Sequence, residues 1–407
     1  MKILIQKYGG TSVATEEMRQ KVVEKITQAK AAGYALLVVV SAIGRKGAPY
    51  ATDTLLSLVN ADNAVPSPRE LDLLMSCGEI ISGVILTTTL QKAGYKSICL
   101  NGAQAGIITD NTFGDARIVK VDTRKIVDLL KQDYIIVVAG FQGITSDGEV
   151  TTLGRGGSDT TAAALGVALN AEMIEIFTDV DGVKTADPKI VSEAKTLGEV
   201  TYNEICHLAY EGAKVIHPRA VEIAAQKNIP LKVRCTFSNE PGTLVTNHRS
   251  TIEPEACITG DKPVTGITQI TNIAQIKVDL GDTKDLSLRS KIFRSLADVG
   301  ISVDFINVHP GEILFTVKEH LVAKAQEILQ DLSLNIAIRT GCAKVAVVGA
   351  GMTGCPGVMA NIVEALSGEG IPILQSADSY TTIWCLVDEK EMEKAVRALH
   401  KKFRLDQ

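Results

Sequence analysis

The sequence predicts an α/β protein in which a three-layer domain with a mostly parallel sheet is followed by two ferredoxin-like modules. Short apolar strand patterns alternate with helical patterns over residues 1–246, as in parallel α/β domains. Beyond a polar, turn-rich linker at 247–262, a β-α-β-β-α order of about 70 residues occurs twice, over 263–341 and 342–407. The 407 residues are too many for one ordinary core, which agrees with several domains.

Composition excludes several classes of protein. The hydrophobic fraction is 45% and the net charge is −5, which predicts a soluble globular protein without a basic surface for nucleic acid or an anionic membrane. The longest apolar runs, 35–40 and 135–139, fit buried strands and are too short to span a bilayer. Residues 1–4 lead directly into a strand pattern and show no signal peptide. Eight cysteines without a C-x-x-C pair, and six histidines without ligand spacing, predict free thiols, no zinc site and a cytoplasmic location.

The elements of the first domain follow from periodicity and from start and stop signals. Ser67, Pro68 and Glu70 make a strong helix start, with a cap, a first-turn proline and a capping-box carboxylate. Strand patterns lie at 2–6, 35–40, 96–100, 117–121, 134–139, 173–177, 231–234 and 243–245. Helical patterns lie at 16–32, from 51 and from 67 onward, and at 122–131, 202–211 and 218–227.

The two modules repeat one order of elements. The first has strands at 274–280, 301–308 and 312–317 with helices at 288–299 and 321–332, and the second has strands at 344–348, 371–377 and 381–387 with helices at 357–366 and 391–402. We expect strand pairs such as 301–308 with 312–317 to extend a sheet across a module or subunit boundary. The second module contains GAGMTG at 349–354, but too few residues follow for a dinucleotide-binding fold, so this loop is interpreted as a small-molecule loop.

A glycine-rich loop, GRGGSD at 154–159, is the most informative single stretch. Its glycines permit close backbone approach to a ligand, Ser158 is expected to cap the following helix, and the N–H groups of that helix favour an anion. Arg155 offers a planar fork for a carboxylate or phosphate, and Asp159 adds a negative charge beside it. On this window alone, a turn that only caps a helix explains the residues equally well.

Three other strand ends carry polar or small residues. Lys7 with two glycines suits a phosphate, Ser41 ends the second strand, and an acidic loop around Asp179 suits a nucleotide with its magnesium. Ligands bind at the carboxyl edge of open α/β sheets, where these ends meet. Taken alone, Lys7 fits an ordinary strand–turn–helix junction, and Glu79 fits a helix-end carboxylate as well as a ligand contact.

Four segments in combination resemble the aspartokinases, which are amino-acid kinases with an N-terminal kinase domain and paired C-terminal ACT modules. These segments are KYGGTS at 7–12, GRGGSD at 154–159, TDVDGV at 178–183 and GAKVIHPR at 212–219, and the resemblance covers nearly the whole chain. RKGAPYATD at 45–53 and IPILQSADS at 371–379 are most similar to the diaminopimelate-responsive group of Bacillus type. The resemblance implies transfer of the γ-phosphoryl of ATP, with Mg²⁺, to the side-chain carboxylate of L-aspartate, the first step toward lysine, diaminopimelate, threonine and methionine.

The resemblance also implies a role for each matching residue. The catalytic pair is Lys7 and Asp159, with Lys7 neutralising the transferring phosphoryl group and Asp159 orienting Lys7. ATP contacts are implied for Lys7, Tyr8, Gly9, Gly10, Ser41, Thr178, Asp179, Lys184, Lys189 and Lys214. Aspartate contacts are implied for Thr52, Glu79, Arg155, Gly156, Gly157 and Ser158.

The ACT modules imply control by an amino acid and assembly into a homodimer or a higher homo-oligomer. The resemblance favours meso-diaminopimelate as the effector, with lysine and threonine as alternatives. Polar groups suited to such a ligand are expected at Asp285, Ser287, Asp304, Asn307 and Met352. Two other functions remain open, a catalytically impaired amino-acid sensor and a kinase for another amino acid. The presence of Lys7, Arg155 and Asp159 favours an active enzyme, and the repeat after residue 265 favours an aspartokinase.

Overall fold

The computed structural model describes residues 1–59, 66–213, 215–247, 263–281, 287–332, 334–352 and 354–407. The chain forms two compact units. The first comprises Met1–Val183, Thr196–Tyr210 and Lys214–Ala256, and the second comprises Lys184–Lys195, Glu211–Ala213 and Cys257–Gln407. Two short stretches of the range proposed for the first domain therefore belong to the second unit. Residues 248–262 of the proposed linker lie outside the described residues, and the domain boundaries remain a prediction.

The first unit alternates strands and helices as the periodicity predicts. Its strands are β1 (Ile3–Tyr8), β2 (Ala35–Val40), β3 (Ser97–Leu100), β4 (Ile107–Thr109), β5 (Ile118–Val121), β6 (Ile135–Ala139), β7 (Gln142–Ile144), β8 (Val150–Thr152), β9 (Met173–Thr178), β10 (Glu199–Thr201), β11 (Leu231–Cys235) and β12 (Thr243–Thr246). Its helices are α1 (Glu16–Ala31), α2 (Thr52–Ser57), α3 (Pro68–Lys92), α4 (Arg124–Lys131), α5 (Gly157–Ala168), α6 (Tyr202–Tyr210) and α7 (Pro218–Ala225).

The main sheet of this unit is mostly parallel and lies between helices. In the described residues its strand order is β10-β12-β11-β9-β1-β2-β6-β3, with only the β11–β12 pair antiparallel. Leu4 and Tyr8 of β1 pack with residues of α1 and α3 on one face, whereas Ile5 faces α5 on the other. This arrangement confirms the three-layer α/β prediction. The carboxyl ends of β1, β2, β6 and β9 meet at one edge, where a ligand site is expected.

A smaller sheet, in the order β5-β4-β7-β8, was only partly predicted. The sequence indicated β5, but β4, β7 and β8 are each three residues long, too short to show an alternating pattern. This sheet matters for the site because β8 ends two residues before the glycine-rich loop.

Helix α3 lies within the core of the first unit. Ser67 caps it by accepting a hydrogen bond from the Glu70 N–H at 3.4 Å, and Pro68 is its first residue, as predicted. Among the described helices, α3 is long and apolar enough to cross a membrane by length and composition. Its buried side chains include Asp72 and Glu79, which accept hydrogen bonds from neighbouring segments, as expected for a core helix.

The second unit contains the two predicted ferredoxin-like modules. Its strands are β13 (Gly266–Asp279), β14 (Asp304–Val308), β15 (Glu312–Lys318), β16 (Asn335–Val348), β17 (Gln375–Asp378) and β18 (Thr382–Asp388). Its helices are α8 (Ser287–Asp298), α9 (Val322–Asp331), α10 (Val358–Gly368) and α11 (Met392–Lys402). In the described residues the strands form one antiparallel sheet in the order β14-β15-β13-β16-β18-β17.

The pair of strands at 301–308 and 312–317 does not form the boundary between the modules, whereas sheet extension across a subunit boundary stays a prediction. The modules are joined by the long strands β13 and β16, which pair from Gly266 with Val348 to Asp279 with Asn335, with irregular register between Ile270 and Gln275. β14 lies at an edge of the described sheet, and the proposed boundary at 341/342 falls inside β16. The sequence pattern indicated only half of each long strand, because the bulge interrupts the alternation that identifies a strand.

Candidate active site

A cavity of about 580 Å³ opens at the carboxyl edge of the main sheet. It gathers residues that lie far apart in the sequence, at the ends of β1 and β2, along α3 and at the start of α5. The predicted site residues that line it are Lys7, Gly10, Ser41, Thr52, Glu79, Arg155, Gly156, Gly157, Ser158 and Asp159.

Lys7 and Asp159 form the electrostatic centre of this cavity. The Lys7 Nζ lies 2.6 Å from the Asp159 Oδ1, and the two side chains are only 13% and 11% exposed. The His217 main-chain N–H donates to the Asp159 Oδ2 at 3.3 Å, so the carboxylate is held from two sides. An ion pair with so little solvent contact keeps the ammonium in a fixed position with little screening.

The glycine-rich loop turns tightly into α5. Gly156 is the N-cap residue with φ +67°, and a Cβ there would lie 2.2 Å from the His217 ring. The predicted cap at Ser158 was therefore wrong, because the glycines let the chain enter the helix before that residue. Ser158 instead lies in the first helical turn, buried, and lines the cavity. The Gly157 N–H of this turn donates to the Gly154 carbonyl at 3.0 Å, whereas the N–H groups of Ser158 and Asp159 are first-turn donors that helix geometry leaves without an intrahelical carbonyl partner.

Glu79 is buried in α3 and lines the same cavity as Arg155. Its Oε1 accepts a hydrogen bond from the Ala42 N–H at 3.1 Å, and its Oε2 has no hydrogen-bond partner in the described part of the chain. Burial raises the pKa of Glu79 to about 8, and the Ala42 N–H offsets this only in part. A buried carboxyl with one unpaired oxygen facing a cavity is suited to accept a cationic group.

Arg155 supplies a cation that is not neutralised within the described residues. It is exposed at the cavity mouth and makes no hydrogen bond or ion pair with any of them. The cavity thus offers a fixed ammonium, an exposed guanidinium and a buried carboxyl. These groups can hold a ligand that carries both an ammonium and carboxylates beside a phosphoryl group.

Comparison with known proteins agrees with this geometry. The amino acid kinase family matches residues 2–235, and an ACT domain matches residues 337–401. Aspartokinase 1 of Bacillus subtilis is 50% identical to the chain over 405 residues, covering 100% of both proteins. The chain belongs to the aspartokinases. The aspartokinase of Geobacillus stearothermophilus is 41% identical over 411 residues, covering 100% of this chain and 98% of that protein.

The fold of the enzyme is likewise that of solved aspartokinases. The crystal structure of E. coli aspartokinase III in complex with aspartate and ADP superposes with a TM-score of 0.80 at 25% identity, covering 98% of this chain and 99% of that one. The enzyme is therefore an aspartate kinase that uses ATP and carries an ACT regulatory region. This excludes the two alternatives left open by the sequence, an impaired sensor and a kinase for another amino acid.

The residues predicted to contact the nucleotide differ in how far their polar groups are already buried or hydrogen-bonded within the protein. The Tyr8 side chain is fully buried and stacks on Phe177 at 4.7 Å, so it can approach ATP only through its main chain. The Gly9 N–H donates to the Phe177 carbonyl at 3.3 Å, which engages one of the two glycine donors expected to face a phosphate. The Asp179 carboxylate pairs with Arg45 at 2.5 Å and accepts from the Thr178 hydroxyl at 3.2 Å.

Two of the lysines assigned to ATP, Lys184 and Lys189, are not among the described residues that line this cavity. Lys184 and Lys189 lie in Lys184–Lys195, a stretch that belongs to the second unit, where Ala186, Val191 and Ala194 pack into the core of the second module. Lys214 lies outside the described residues. Contacts of these lysines with ATP remain a prediction.

The residues expected to face an effector are largely engaged with the second module. The Asp304 carboxylate lies 2.6 Å from the Lys344 Nζ, and Lys344 in turn pairs with Glu211 at 3.0 Å. The Asn307 Oδ1 accepts from the Gln375 Nε2 at 2.5 Å.

The other residues of this group lie in separate places. Ser287 is exposed at the start of α8, and Met352 is buried in the core of the second module at the wall of a cavity of about 370 Å³. Asp285 lies outside the described residues.

Sequence reasoning missed one carboxylate that organises the site. Asp72 is fully buried in α3, where its Oδ2 accepts from the N–H groups of Gly114 (2.9 Å) and Thr152 (2.8 Å) and its Oδ1 from the Thr152 hydroxyl (2.7 Å). It therefore ties α3, which carries Glu79, to the strand that leads into Arg155. The only sequence signal was a carboxylate seven residues before Glu79, which places both on one helical face.

Proposed function

We propose that Lys7 and Asp159 are the catalytic pair of this aspartate kinase. The observation that carries the proposal is their 2.6 Å contact, almost free of solvent, at the carboxyl edge of the sheet. Lys7 neutralises charge on the γ-phosphoryl as it moves to the aspartate side chain. Asp159 holds the ammonium in place and acts as a positioning residue. No general base is needed, because the aspartate side chain is already a carboxylate near neutral pH.

Aspartate recognition uses the two ends of the amino acid separately. Arg155 binds the α-carboxylate with its planar fork, and Ser158 with the backbone of Gly156 completes that side. Gly157, whose N–H already donates to the Gly154 carbonyl at 3.0 Å, contributes by letting the backbone come close to the ligand. Glu79 accepts the α-ammonium through its unpaired Oε2. Thr52, at the first turn of α2, lines the same cavity and orients the side-chain carboxylate. The hydrogen bonds that the buried Asp72 carboxylate accepts from Thr152 join α3 to β8 and so support the spacing of Glu79 and Arg155.

The nucleotide enters as a complex with Mg²⁺. Among the described residues no cluster of three or more histidine, cysteine or acidic side chains is present to hold a resident metal. Asp179 and Asp181 follow β9, but they are engaged by Arg45 and by the Ser238 hydroxyl. We propose that the ion binds chiefly through the phosphates, where it neutralises their charge. We propose that Lys7, Gly10 and Ser41, which line the cavity, contact the phosphates, and that Thr178 and Asp179, at and after the end of β9, contact another part of the nucleotide.

The decisive assay follows ATP consumption with hydroxylamine trapping of the acyl phosphate. We expect turnover to require L-aspartate, and we expect Arg155→Lys to raise the aspartate KM by about tenfold or more, because lysine cannot form the bidentate fork. The ATP KM should change little. Arg124→Lys, at an exposed arginine paired with Asp122, is the matched control. A larger effect of Arg155→Lys on ATP than on aspartate would show that the two subsites are interchanged.

The ACT region is proposed to bind an amino-acid effector, meso-diaminopimelate first and lysine or threonine as alternatives. Support comes from the polar residues Asp304, Asn307 and Gln375, which join the first module to the second through the contacts of β14. A ligand that binds the inactive arrangement better by about 1–3 kcal/mol gives ordinary inhibition. An ammonium on the ligand can replace Lys344 as the partner of Asp304, and a carboxylate on the ligand can replace the Asn307 oxygen as the acceptor for the Gln375 Nε2.

We predict that Asp304→Ala relieves this inhibition about fivefold or more while kcat without effector stays within about twofold. The physical reason is the loss of the Asp304 carboxylate, which pairs with Lys344 and which an effector ammonium would require. The measurement is an inhibition screen with the three amino acids at subsaturating aspartate. Asp298→Ala, which removes an exposed carboxylate from α8 in the same module, is the control. Unchanged inhibition in Asp304→Ala would exclude Asp304 from the effector site.

Assembly and location complete the proposal. β14 and β17 lie at the two edges of the described sheet, and Ile306 (45% exposed) and Val308 (50% exposed) lie on β14. Open edges with exposed apolar residues favour pairing with a second copy, so we propose a homodimer or higher oligomer. Sedimentation of a 43.4 kDa species at micromolar protein would contradict it. The free thiols of the described cysteines are consistent with action in the cytoplasm.

A further inference from the structure

A second cavity, of about 490 Å³, lies behind the glycine-rich loop in the first unit. It shares Gly114, Gly154 and Arg155 with the proposed active site but has its own polar wall. The residues that line only this second cavity are Asp115, Arg117, Tyr210, His217, Arg219 and Glu222. None of these six has a part in the proposed phosphoryl transfer, apart from the main-chain contact of His217 with Asp159.

The charges of this wall favour an anion. Arg219 is 14% exposed and is fixed by the carbonyls of Leu153 (3.0 Å) and Ala116 (2.8 Å). Burial lowers the pKa of Arg219, and the nearby positive charge of Arg117 lowers this pKa further. Two like charges held close together in a cavity are stabilised when an anion binds between them.

The carboxylates of the wall only partly offset these cations. Asp115 is 63% exposed and lies 3.6 Å from Arg117 and 3.5 Å from Arg219, both long contacts for an ion pair. Glu222 accepts a hydrogen bond from the Tyr210 hydroxyl at 2.7 Å. Burial is the chief cause that lowers the pKa of His217, so this ring is neutral near pH 7. With Arg155 included, three guanidinium groups face two carboxylates.

Arg155 connects this cavity to catalysis. It lines both cavities, and within the described residues no carboxylate holds it in either one. Its flexible side chain can therefore turn toward an anion on either side of the glycine-rich loop. An anion in the second cavity would draw the guanidinium away from the α-carboxylate of aspartate.

We propose that the second cavity binds a small oxyanion, a phosphate or a carboxylate group, among Arg117, Arg155 and Arg219, and that this anion competes with aspartate for Arg155. The inference rests on the proposed role of Arg155 in aspartate binding. It assigns to the enzyme an inhibitory anion site within the first unit, separate from the ACT region. A phosphorylated metabolite and a free carboxylic acid share this chemistry, and separate experimental arms distinguish them.

The test measures initial rates of the full chain against aspartate at several concentrations of inorganic phosphate, and of acetate in a parallel arm. Potassium chloride keeps the ionic strength constant, because screening alone weakens charge interactions. We expect phosphate to inhibit competitively with aspartate and not with ATP. Arg117→Ala should raise the phosphate inhibition constant on the order of tenfold without changing kcat in the absence of phosphate.

The matched control is Lys120→Ala, which removes one positive charge from the same strand outside the cavity and should leave the inhibition constant unchanged. If Arg117→Ala is unstable, Arg117→Gln preserves side-chain length, and the shift of the wild-type thermal midpoint by phosphate alone reports binding.

Several results would overturn the inference. Inhibition by phosphate that is equal in wild type and Arg117→Ala would place the anion in the active-site cavity. If neither anion inhibits the enzyme or shifts its thermal midpoint, the proposed anion site does not exist. Inhibition that depends on Arg117 but is not competitive with aspartate would overturn competition for Arg155. An aspartate KM that is unchanged in Arg155→Lys would instead contradict the proposed function and would leave the Arg117 comparison interpretable.

Discussion

Replacing Lys7 with alanine is expected to lower kcat by about 10²-fold or more while the aspartate KM stays within about threefold of its original value. The ammonium is held 2.6 Å from Asp159 with 13% exposure, so it is already positioned before charge develops on the transferring phosphoryl group. A group of this kind stabilises the transition state more than bound aspartate, and its loss should appear in kcat. Lys2→Ala is the matched control, because Lys2 precedes the same strand but is 70% exposed and pairs only with Glu172.

The partner substitution, Asp159→Asn, should lower kcat in the same direction. It removes the charge that orients the Lys7 ammonium and leaves the His217 N–H with an amide acceptor in its place. Because the two residues act as one unit, the double variant should be little slower than Lys7→Ala alone. Steady-state kinetics on the three variants, with thermal midpoints to verify folding, measure this. A large rise in the aspartate KM with unchanged kcat would show that the pair binds substrate and has no special role in the transition state.

The sequence predicted the layered domain well because the main sheet is built from fully apolar strands. β2 and β6 are continuous apolar runs bounded by glycine or polar residues, so their type and position are evident without tertiary information. The strands that the sequence missed, β4, β7 and β8, are three residues long and owe their existence to pairing with each other. The order of apolar and polar residues within so short a strand does not show that it pairs with another strand.

The site was predictable where its residues stand in glycine-rich strand ends, as with Lys7 and Asp159. It was not predictable where long-range contacts decide the environment. Asp72 bonds to Thr152 across 80 positions, and His217 reaches Asp159 across 58, so neither partner could be inferred from neighbouring residues. For Tyr8 the sequence suggested a contact that the side chain does not make. Its position after Lys7 suggested a ligand contact, but its ring is stacked on Phe177 in the core. Strand alternation alone does not reveal which face a helix covers.

Glu79 shows most clearly how the fold changes the chemistry of a residue. Its sequence setting is compatible with a helix-end carboxylate, yet in the structure it lies within α3, buried against the loop after β2. Burial penalises the charged form, and the single N–H from Ala42 compensates only in part, so its pKa is about 8. In the free enzyme at neutral pH the protonated, uncharged form therefore predominates. An aspartate ammonium requires the ionised form, so binding of aspartate must release the proton from Glu79.

We therefore expect kcat/KM for aspartate to rise by up to about tenfold per pH unit between about pH 6 and pH 8, and to level off above the pKa. Glu79→Gln should abolish this rise, because its amide copies the protonated carboxyl but cannot ionise. The variant should match wild type most closely at the acidic end and fall furthest behind it near pH 8. The ATP KM should show no such difference. Parallel pH profiles for the two proteins would exclude Glu79 as the ammonium acceptor.

Folding stability should change with pH in the opposite direction. The pKa of Glu79 is higher in the folded protein, about 8, than in the unfolded chain, where a glutamate titrates near 4.5. The folded state therefore retains a proton that the unfolded state has released, and stability falls as pH rises between these two values. Relative to Glu79→Gln, the thermal midpoint of the wild type should decrease from about pH 5 to pH 8 in the absence of ligand. Saturating aspartate should remove most of this difference at pH 8, because its ammonium neutralises the ionised carboxylate. Above the pKa of Glu79 the free enzyme would thus carry an unpaired buried charge, which the ammonium of bound aspartate neutralises.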